Sequence, residues 1–381
     1  MESYDVAIAG GGPAGSAAAI VLALSGHRVL LADDGPVARF RVGEGLPPAA
    51  HRLLRDLGIL DRFLADGHRV SFGNLCVWGS DQQNPTDFIH DRYGLGYQLD
   101  RNRFDALLRA AAADAGAEVH ALARLSVVGS YEDRANGRPI HLTRAGQRCD
   151  IACRWLIDAG GRSASLARRL GGVRHRQDRL VGVSMLLRAS STAPTDADGR
   201  TIVEASEDGW WYSALLPCGH RLVTYLTDLD LGDHQAIRRS DTLWARLLAT
   251  RILSELCARH CYLPASPTRT TDASTGGLEC SAGADWLAVG DAALSFDPLS
   301  SQGIATALHT GIRGGRTIEA ALNGARDRVG DYGAHVAAIY KVYLLHRHAF
   351  YSMEQRWKKS AFWRRRHSPP EFHPPEQLRA A

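Results

Sequence analysis

The chain has 381 residues, and 45% of them are hydrophobic, so it can bury one large core or two interleaved ones. Its formal net charge of +4 is small and no base-reading motif accompanies it, so we expect no nucleic-acid partner. Because the chain starts with acidic residues and has no apolar run of bilayer length, we expect neither a signal peptide nor a membrane partner.

The seven cysteines are odd in number, and the two closest pairs have C-x3-C rather than C-x2-C spacing. This pattern favours neither a disulfide framework nor a zinc site. We therefore expect reduced thiols, no bound metal and a cytoplasmic location.

A dinucleotide-binding βαβ unit is predicted at the start of the chain. Gly10, Gly12 and Gly15 have G-x-G-x-x-G spacing, which allows a tight turn, the approach of the backbone to a pyrophosphate and the packing of the next helix. Asp33 follows the second strand, where a carboxylate would accept ribose hydroxyls. The predicted elements are a strand at residues 4–9, a helix at about 14–25 and a strand at 28–32.

The middle of the chain is rich in predicted strands. Residues 70–97 and 180–227 contain short runs with strand-like alternation, and residues 241–260 have the apolar spacing of a helix. Three consecutive aromatic residues are predicted to line a substrate pocket, with ordinary core packing as the alternative. They are Trp210, Trp211 and Tyr212.

This order of elements predicts an α/β fold. A discontinuous Rossmann-like cofactor domain is interrupted by a mainly antiparallel β-sheet substrate domain and followed by C-terminal helices. The basic and aromatic C-terminal segment either docks an acidic partner or caps the cofactor domain. The predicted boundaries are 1–70, 98–180 and 270–330 for the cofactor domain, 71–97 and 181–269 for the substrate domain, 331–367 for the C-terminal segment and 368–381 for a tail.

Three separated motifs resemble the FAD-dependent aromatic hydroxylase superfamily. They are the glycine motif at residues 10–15, Asp158-Ala-Gly-Gly-Arg-Ser, and Gly290-Asp291-Ala followed by Pro298 and Gly303. The resemblance implies that FAD is the cofactor, that Asp291 binds the ribityl chain and that Arg101 contacts FAD. A helix N-cap for Asp291 and a solvated helix start for Arg101 are the alternatives.

The predicted site residues fall into two groups. The FAD-binding residues are Gly10, Gly12, Pro13, Ala14, Gly15, Asp33, Arg41, Arg101, Asp158, Gly290, Asp291, Pro298, Gly303 and Ile304. The catalytic residues, which we expect near the flavin ring, are Glu44, Pro298, Ser301, Gln302 and Gly303.

Within this superfamily the chain is similar to the branch of flavin-dependent tryptophan halogenases, through residues 42–44 and 297–304. It departs from true halogenases in three ways. It has no lysine before Lys341, it has Ser300 where the family has a catalytic glutamate, and Tyr212 replaces the second tryptophan of the W-x-W-x-I-P element. These departures disfavour halogenation.

The chain also resembles flavoproteins that mature the tryptophan-derived quinone cofactors of other enzymes, through residues 43–48, 297–303 and 362–366. The resemblance implies a monooxygenase that hydroxylates an aromatic substrate, such as tryptophan or another indole, through a flavin C4a-hydroperoxide. The substrate is then an aromatic small molecule or a tryptophan-bearing partner protein. The alternatives are a halogenase, a reductase like geranylgeranyl reductase and a flavin-binding maturation factor without catalysis.

The electron donor is left open by the sequence. No second nucleotide fingerprint is visible beside the one at residues 10–15. We therefore expect NAD(P)H to reduce the flavin either directly or through a separate flavin reductase.

Overall fold

The computed structural model describes residues 1–35, 43–128, 137–231 and 234–370. Arg41 and the last eleven residues of the predicted tail lie outside these ranges. The helices are α1 (Pro13–Leu24), α2 (Ala50–Asp56), α3 (Leu60–Ala65), α4 (Arg101–Asp114), α5 (Ser165–Arg169), α6 (His234–Ile237), α7 (Ser240–Leu248), α8 (Ile252–Arg259), α9 (Gly303–Leu322), α10 (Arg328–Ser352) and α11 (Ala361–His367).

The strands occur along most of the chain, in both predicted domains. They are β1 (Glu2–Ala9), β2 (Val29–Asp33), β3 (Gly45–Leu46), β4 (Arg69–Ser71), β5 (Gly73–Val77), β6 (Asn84–Asp87), β7 (Gly96–Gln98), β8 (Glu118–Ala121), β9 (Ala123–Val127), β10 (Arg138–Arg144), β11 (Gln147–Asp158), β12 (Arg174–Arg176), β13 (Leu180–Arg188), β14 (Thr201–Ser206), β15 (Gly209–Leu215), β16 (Arg221–Asp228), β17 (Leu263–Pro264), β18 (Arg269–Asp272), β19 (Gly276–Leu278), β20 (Trp286–Ala288) and β21 (Leu294–Ser295).

The first sheet has seven strands in the order β8-β2-β1-β11-β10-β9, and β20 also pairs with the end of β11. The pairs from β8 to β11, and the pair of β11 with β20, are parallel. Parallel strands need helical crossovers, and α1 supplies the one between β1 and β2. The apolar runs of β1 and β2 are buried, as their sequences predict. This arrangement confirms the predicted α/β fold with a Rossmann-like sheet.

The second sheet has eight strands in the order β17-β13-β16-β15-β14-β5-β6, with β18 also on β13. Its pairs are antiparallel except for β14 with β5. One face packs against α6, α7 and α8 through an apolar cluster that includes Trp211 and Tyr225. The other face carries Trp210 and Tyr212 toward the C-terminal helices. The sheet is mainly antiparallel, as predicted.

The stretch predicted as helical at residues 241–260 is split into α7 and α8. The break has a clear cause, because the Glu204 carboxylate on β14 accepts hydrogen bonds from the N–H groups of Arg251, Ile252 and Leu253, at 2.7 to 3.2 Å. A buried carboxylate therefore caps the start of α8. The apolar spacing is continuous across the break, so the sequence alone could not reveal it.

The C-terminal segment is part of the core. Phe362 and Trp363 of α11 have 0% of their surface exposed, and Trp363 packs edge-on against Trp78 at 5.2 Å between ring centroids. The guanidinium of Arg366 bonds the carboxylate of Asp228 on β16. The predicted alternative is a cap over the cofactor domain, and α10 does pack on the core of the first sheet, but α11 packs on the second sheet instead. The side chains of Phe362 and Trp363 are not available to a partner.

No helix in the described ranges combines the length and the hydrophobicity that a bilayer crossing requires. All seven cysteines lie in those ranges and are free thiols.

We expect Trp363→Ala to lower the free energy of unfolding by about 3–5 kcal/mol, because it leaves a large cavity among packed aromatic rings. Urea unfolding of the purified protein measures this change. Lys358→Ala, at an exposed position of the same segment, is the control and should shift stability by less than about 0.5 kcal/mol. Equal, small effects of both substitutions would contradict a docked C-terminal segment.

Candidate functional site

The helices α1 and α9 touch along their backbones. A Cβ at Gly311 would lie 2.2 Å from the carbonyl oxygen of Ala14, and one at Gly315 would lie 3.1 Å from that of Ala18. The matching order of these contacts makes the two helices parallel. Since α9 begins eight residues before Gly311 and α1 begins one residue before Ala14, the N-terminus of α9 lies roughly 10 Å beyond the start of α1. Two helix N-termini are therefore placed in a row.

Neither of these helices has a side-chain cap. The N-cap residues are Gly12 for α1 and Gln302 for α9, and neither makes a side-chain hydrogen bond to the first turn. The first N–H groups of a helix have no partner within the helix and carry partial positive charge. The row of N-termini can thus receive one anionic group at α1 and a second negatively charged group at α9.

The turn between β1 and α1 needs glycine. Gly10 has a φ of +111°, and a Cβ there would lie 2.3 Å from the carbonyl oxygen of Ala159. A Cβ at Gly15 would lie 1.9 Å from the carbonyl oxygen of Gly10. Pro13 and Ala14 are the first two residues of α1, so their backbone lies at this turn. At the end of β2, Asp33 is held by Arg109 at 3.5 Å.

Asp158 is buried and uses both carboxylate oxygens within the chain. One oxygen accepts the N–H of Gly160 at 2.9 Å, and the other accepts those of Leu166 and Ala167 at 2.9 and 2.8 Å. Burial raises the pKa of this carboxyl. Asp158 therefore shapes the turn beside the first glycine motif, and its predicted direct contact with a cofactor stays a prediction.

Asp291 lies in the short 3-10 turn Gly290–Ala292, and 37% of its side chain is exposed. Its carboxylate is 3.4 Å from Nε of Arg162. Arg174 donates to the carbonyl oxygens of Asp291 and Ala292 at 3.2 Å. Two arginines therefore fix this turn while the carboxylate stays open to a ligand. Arg174 could not be predicted from the sequence, because it belongs to no motif.

The loop before α9 is shaped by its own side chains. The carboxylate of Asp297 accepts the N–H of Leu299 at 3.0 Å, and Ser301 adopts a left-handed φ of +51°. Gln302 and Gly303 are exposed, and a Cβ at Gly303 would meet nothing within 4 Å. Open space therefore lies in front of the α9 N-terminus, next to Pro298 of the same loop. Ile304, in contrast, is buried against the core.

A buried polar group lies beside a small three-stranded sheet, which is formed by β3, β7 and β4. Glu44 is 2% exposed, accepts the N–H of Gly43 at 2.8 Å and has the hydroxyl of Tyr212 as a neighbour. Arg101 donates from Nη1 to the carbonyl oxygen of Gly43 at 2.8 Å. Among the described residues, Oε1 of Glu44 and Nε of Arg101 are buried without a hydrogen-bond partner.

Burial raises the pKa of the Glu44 carboxyl, and the Tyr212 hydroxyl, the Gly43 N–H and the charge of Arg101 oppose this shift. Burial and the neighbouring Glu44 also raise the pKa of Tyr212 well above its ordinary value. Tyr212 therefore keeps its proton, and its hydroxyl lies beside the Glu44 carboxyl group. The pair can hold a proton in a region that excludes water.

The three consecutive aromatic residues do not line one common pocket. Trp210 and Tyr212 point to one face of the sheet, and Trp211 points to the other, where its ring lies 4.9 Å from that of Tyr225. Trp210 is fully buried and donates from Nε1 to the hydroxyl of Tyr351 at 3.0 Å. Only Tyr212 reaches Glu44.

The described residues contain no group of three or more histidine, cysteine or acidic side chains that could hold a metal ion. The geometry offers instead a long site along two helix starts, with an open carboxylate between them and a buried acid–tyrosine pair beside it.

Comparisons with known proteins agree with such a site. Residues 3–337 match the profile of the FAD binding domain family. LodB of Marinomonas mediterranea, named as an FAD-dependent oxidoreductase, is 31% identical over 97% of this chain and 98% of its own.

Two solved structures share the fold. The peptidyl tryptophan dihydroxylase QhpG, described as essential for tryptophylquinone cofactor biogenesis, is 25% identical over 100% of this chain and 81% of its own, with a TM-score of 0.71. The myxobacterial chondrochloren halogenase CndH is 24% identical over 96% of this chain and 86% of its own, with a TM-score of 0.86.

We expect Gly303→Ala to weaken FAD binding at least about tenfold, or roughly 1.4 kcal/mol, because its methyl group enters the open space before α9. The apoprotein should be as stable as the wild type, since the methyl group meets no protein atom. Fluorescence titration of apoprotein with FAD measures the affinity. Gly330→Ala, equally free of neighbours but on α10, is the control. Equal FAD affinities in the two variants would show that the flavin ring does not bind in the open space at Gly303.

We expect Glu44→Gln to flatten the dependence of stability on pH. The raised pKa means that the folded protein holds a proton that the unfolded chain loses above about pH 4.5. The stability of the wild type therefore falls as pH rises from that value through the folded pKa, and the variant lacks this loss. Thermal melts between pH 4.5 and 8 measure the difference. Parallel curves would show that Glu44 is ionised in the folded protein.

Proposed function

The chain belongs to the FAD binding domain family and is an FAD-dependent oxidoreductase, and we propose that it is a monooxygenase that hydroxylates the indole ring of a tryptophan in a partner polypeptide. The observation that carries this proposal is the similarity to peptidyl tryptophan dihydroxylase QhpG along the entire chain. A small aromatic molecule is the second candidate substrate, because it requires the same oxygen chemistry.

The residues of the site fit FAD. Its pyrophosphate would meet the N–H groups of Gly12 and Ala14 at the start of α1, where Pro13 has no N–H group to donate. Its ribose would meet Asp33. Asp291 lies between the two helix starts, where the ribityl chain would pass. The open space at Gly303 would take the flavin ring. When bound and reduced, FAD supplies the activation of dioxygen.

The α9 N-terminus would stabilise negative charge on the reduced ring. Its first N–H groups, those of Gly303, Ile304 and Ala305, have no acceptor within the helix. Those of Ser301 and Gln302 already bond the Pro298 carbonyl oxygen and the Ser300 hydroxyl. Pro298 adds no N–H group and fixes the backbone of the loop. These residues orient the cofactor and tune its charge, while the chemistry belongs to the cofactor.

Glu44 and Tyr212 would manage a proton beside the ring. The hydroxyl of Tyr212 lies beside the Glu44 carboxyl group, and the buried pair is connected to Arg101 through Gly43. A proton held at Oη of Tyr212 can pass to a developing anion when that anion approaches, because burial keeps competing water out. This role makes Glu44 and Tyr212 the first pair to vary in activity assays.

Halogenation is disfavoured by the residues present. The chain has no lysine in residues 1–340, so no amine is available there to hold a hypohalous acid. Ser300 occupies the position of the halogenase glutamate, and its hydroxyl donates to the carbonyl oxygen of Asp297 at 3.0 Å. The likeness to chondrochloren halogenase concerns the fold.

NAD(P)H is the proposed source of electrons, either directly or through a separate flavin reductase. Rapid reduction of the purified holoprotein by NAD(P)H alone would exclude the need for a reductase. The proposed location is the cytoplasm, which suits seven free thiols.

The reaction is tested with reduced holoprotein, dioxygen and a synthetic peptide that carries tryptophan. We expect the peptide to gain one or two oxygen atoms on its tryptophan, and isotope-labelled dioxygen to supply them. Mass spectrometry with fragmentation locates the addition. Tyr212→Phe should lower the rate by about 10²-fold or more while FAD binding is preserved, because the variant removes the proton donor.

A peptide with phenylalanine in place of tryptophan is the control substrate. Incorporation of chloride in a chloride buffer would show a halogenase, and a gain of two hydrogens by an alkene substrate would show a reductase. If Asp291→Ala lost FAD yet still supported maturation of a partner, the chain would be a factor that acts by binding alone.

A further inference from the structure

The carboxylate of Asp297, which lies in the loop before α9, is buried and hydrogen-bonded by several neighbouring groups. It is 1% exposed and accepts the hydroxyl of Tyr351 at 2.7 Å and Nε of Arg347 at 3.4 Å. The N–H of Asp297 donates to the hydroxyl of Tyr343 at 2.8 Å. Because Asp297 also accepts the N–H of Leu299, these bonds fix the backbone that leads into α9.

The residues that hold Asp297 come from one stripe of α10. Tyr343, Arg347 and Tyr351 are spaced by four residues, so they lie on one face of the helix. All three follow residue 337, where the match to the FAD binding domain family ends. The loop is therefore supported by a part of the chain outside the shared family domain.

Tyr351 also reaches the second sheet. Nε1 of Trp210 on β15 donates to the Tyr351 hydroxyl at 3.0 Å, and that hydroxyl donates onward to Asp297. Tyr351 is fully buried, and burial together with the charge of Asp297 raises its pKa well above its ordinary value. The hydroxyl therefore keeps its proton, and one continuous chain of hydrogen bonds runs from the sheet to the loop.

Two arginines close this arrangement. Arg347 bonds Asp178 with Nη2 at 2.6 Å, so it lies between two carboxylates. Arg366 of α11 bonds Asp228 and lies 5.2 Å over the ring of Tyr351. The phenol ring is thus held in place by α11 while its hydroxyl bridges the sheet and the loop.

We propose that Tyr351 is a positioning residue for FAD. The hydrogen bonds from Trp210 through Tyr351 to Asp297 transmit the position of the second sheet to the loop before α9. Tyr351 need not touch FAD for this role. It fixes Asp297, which fixes the turn through residues 298–302 and with it the start of α9, whose free N–H groups would face the flavin ring. The inference rests on the FAD site of the proposed function and not on its substrate.

The test compares two tyrosines of α10. Tyr351→Phe removes the bridging hydroxyl and keeps the ring, whereas Tyr340→Phe removes a hydroxyl that bonds neither Asp297 nor Trp210. We expect Tyr351→Phe to raise the FAD dissociation constant roughly three- to thirtyfold and to shift the midpoint potential of bound FAD, because hydrogen bonds to charged groups are strong. The control should match the wild type in both measurements.

Melting of the apoproteins separates positioning from packing. If Tyr351→Phe lowered the melting temperature but left FAD affinity and potential at control values, the role would be structural and the proposal overturned. If Tyr351→Phe fails to fold, Trp210→Phe breaks the same chain one step earlier and should shift both FAD measurements in the same direction. If both variants fold, the combined effect of Tyr351→Phe and Trp210→Phe on FAD affinity should be smaller than the sum of their separate effects.

These measurements use no substrate and no turnover. A protein that lacked hydroxylase activity would still show or lack the effect on FAD. Failure of the positioning role and failure of the proposed reaction can therefore be told apart.

Discussion

The contact between the backbones of α1 and α9 is the constraint on which the rest of the structure depends. Glycine at position 311 is required for this approach and glycine at position 315 eases it, and the parallel alignment sets two uncapped N-termini in a row. In the proposed site, the pyrophosphate of FAD would lie at the first of these N-termini and the flavin ring at the second. Three features lie near these two helix starts: the turn at Gly10, the open carboxylate of Asp291 and the space before Gly303.

Buried carboxylates do most of the remaining positioning. Asp158, Glu204 and Asp297 each accept backbone N–H groups, and each fixes the start of a helix or a turn. Burial of an acid is costly unless such partners are present, so the location of each acid is narrowly defined. Glu44 differs, because its Oε1 has no hydrogen-bond partner among the described residues, whereas the other three acids use both carboxylate oxygens within the chain. One oxygen of Glu44 is therefore left for a further partner.

Local patterns predicted the nucleotide unit well, since glycine spacing, a short apolar strand and a terminal acid lie within a few dozen residues. Strand periodicity also requires Trp210 and Trp211 to point to opposite faces, so the pattern itself argued against one pocket lined by both. The break between α7 and α8 could not be foreseen, because Glu204 reaches it from another strand. Tyr351 and Arg347 were equally hidden, since nothing in their local sequence indicates Asp297 as the partner.

The same pairing of α1 with α9 has a consequence for biosynthesis. The two helices come from opposite ends of the chain, and the second sheet is made between them. The first βα unit must therefore wait, with its apolar face uncovered, until α9 has left the ribosome. The strands β1, β2 and β11 can pair before then, but the cofactor domain cannot complete its fold until α9 has been made. Chaperone demand in the cell should accordingly fall mainly in this waiting period.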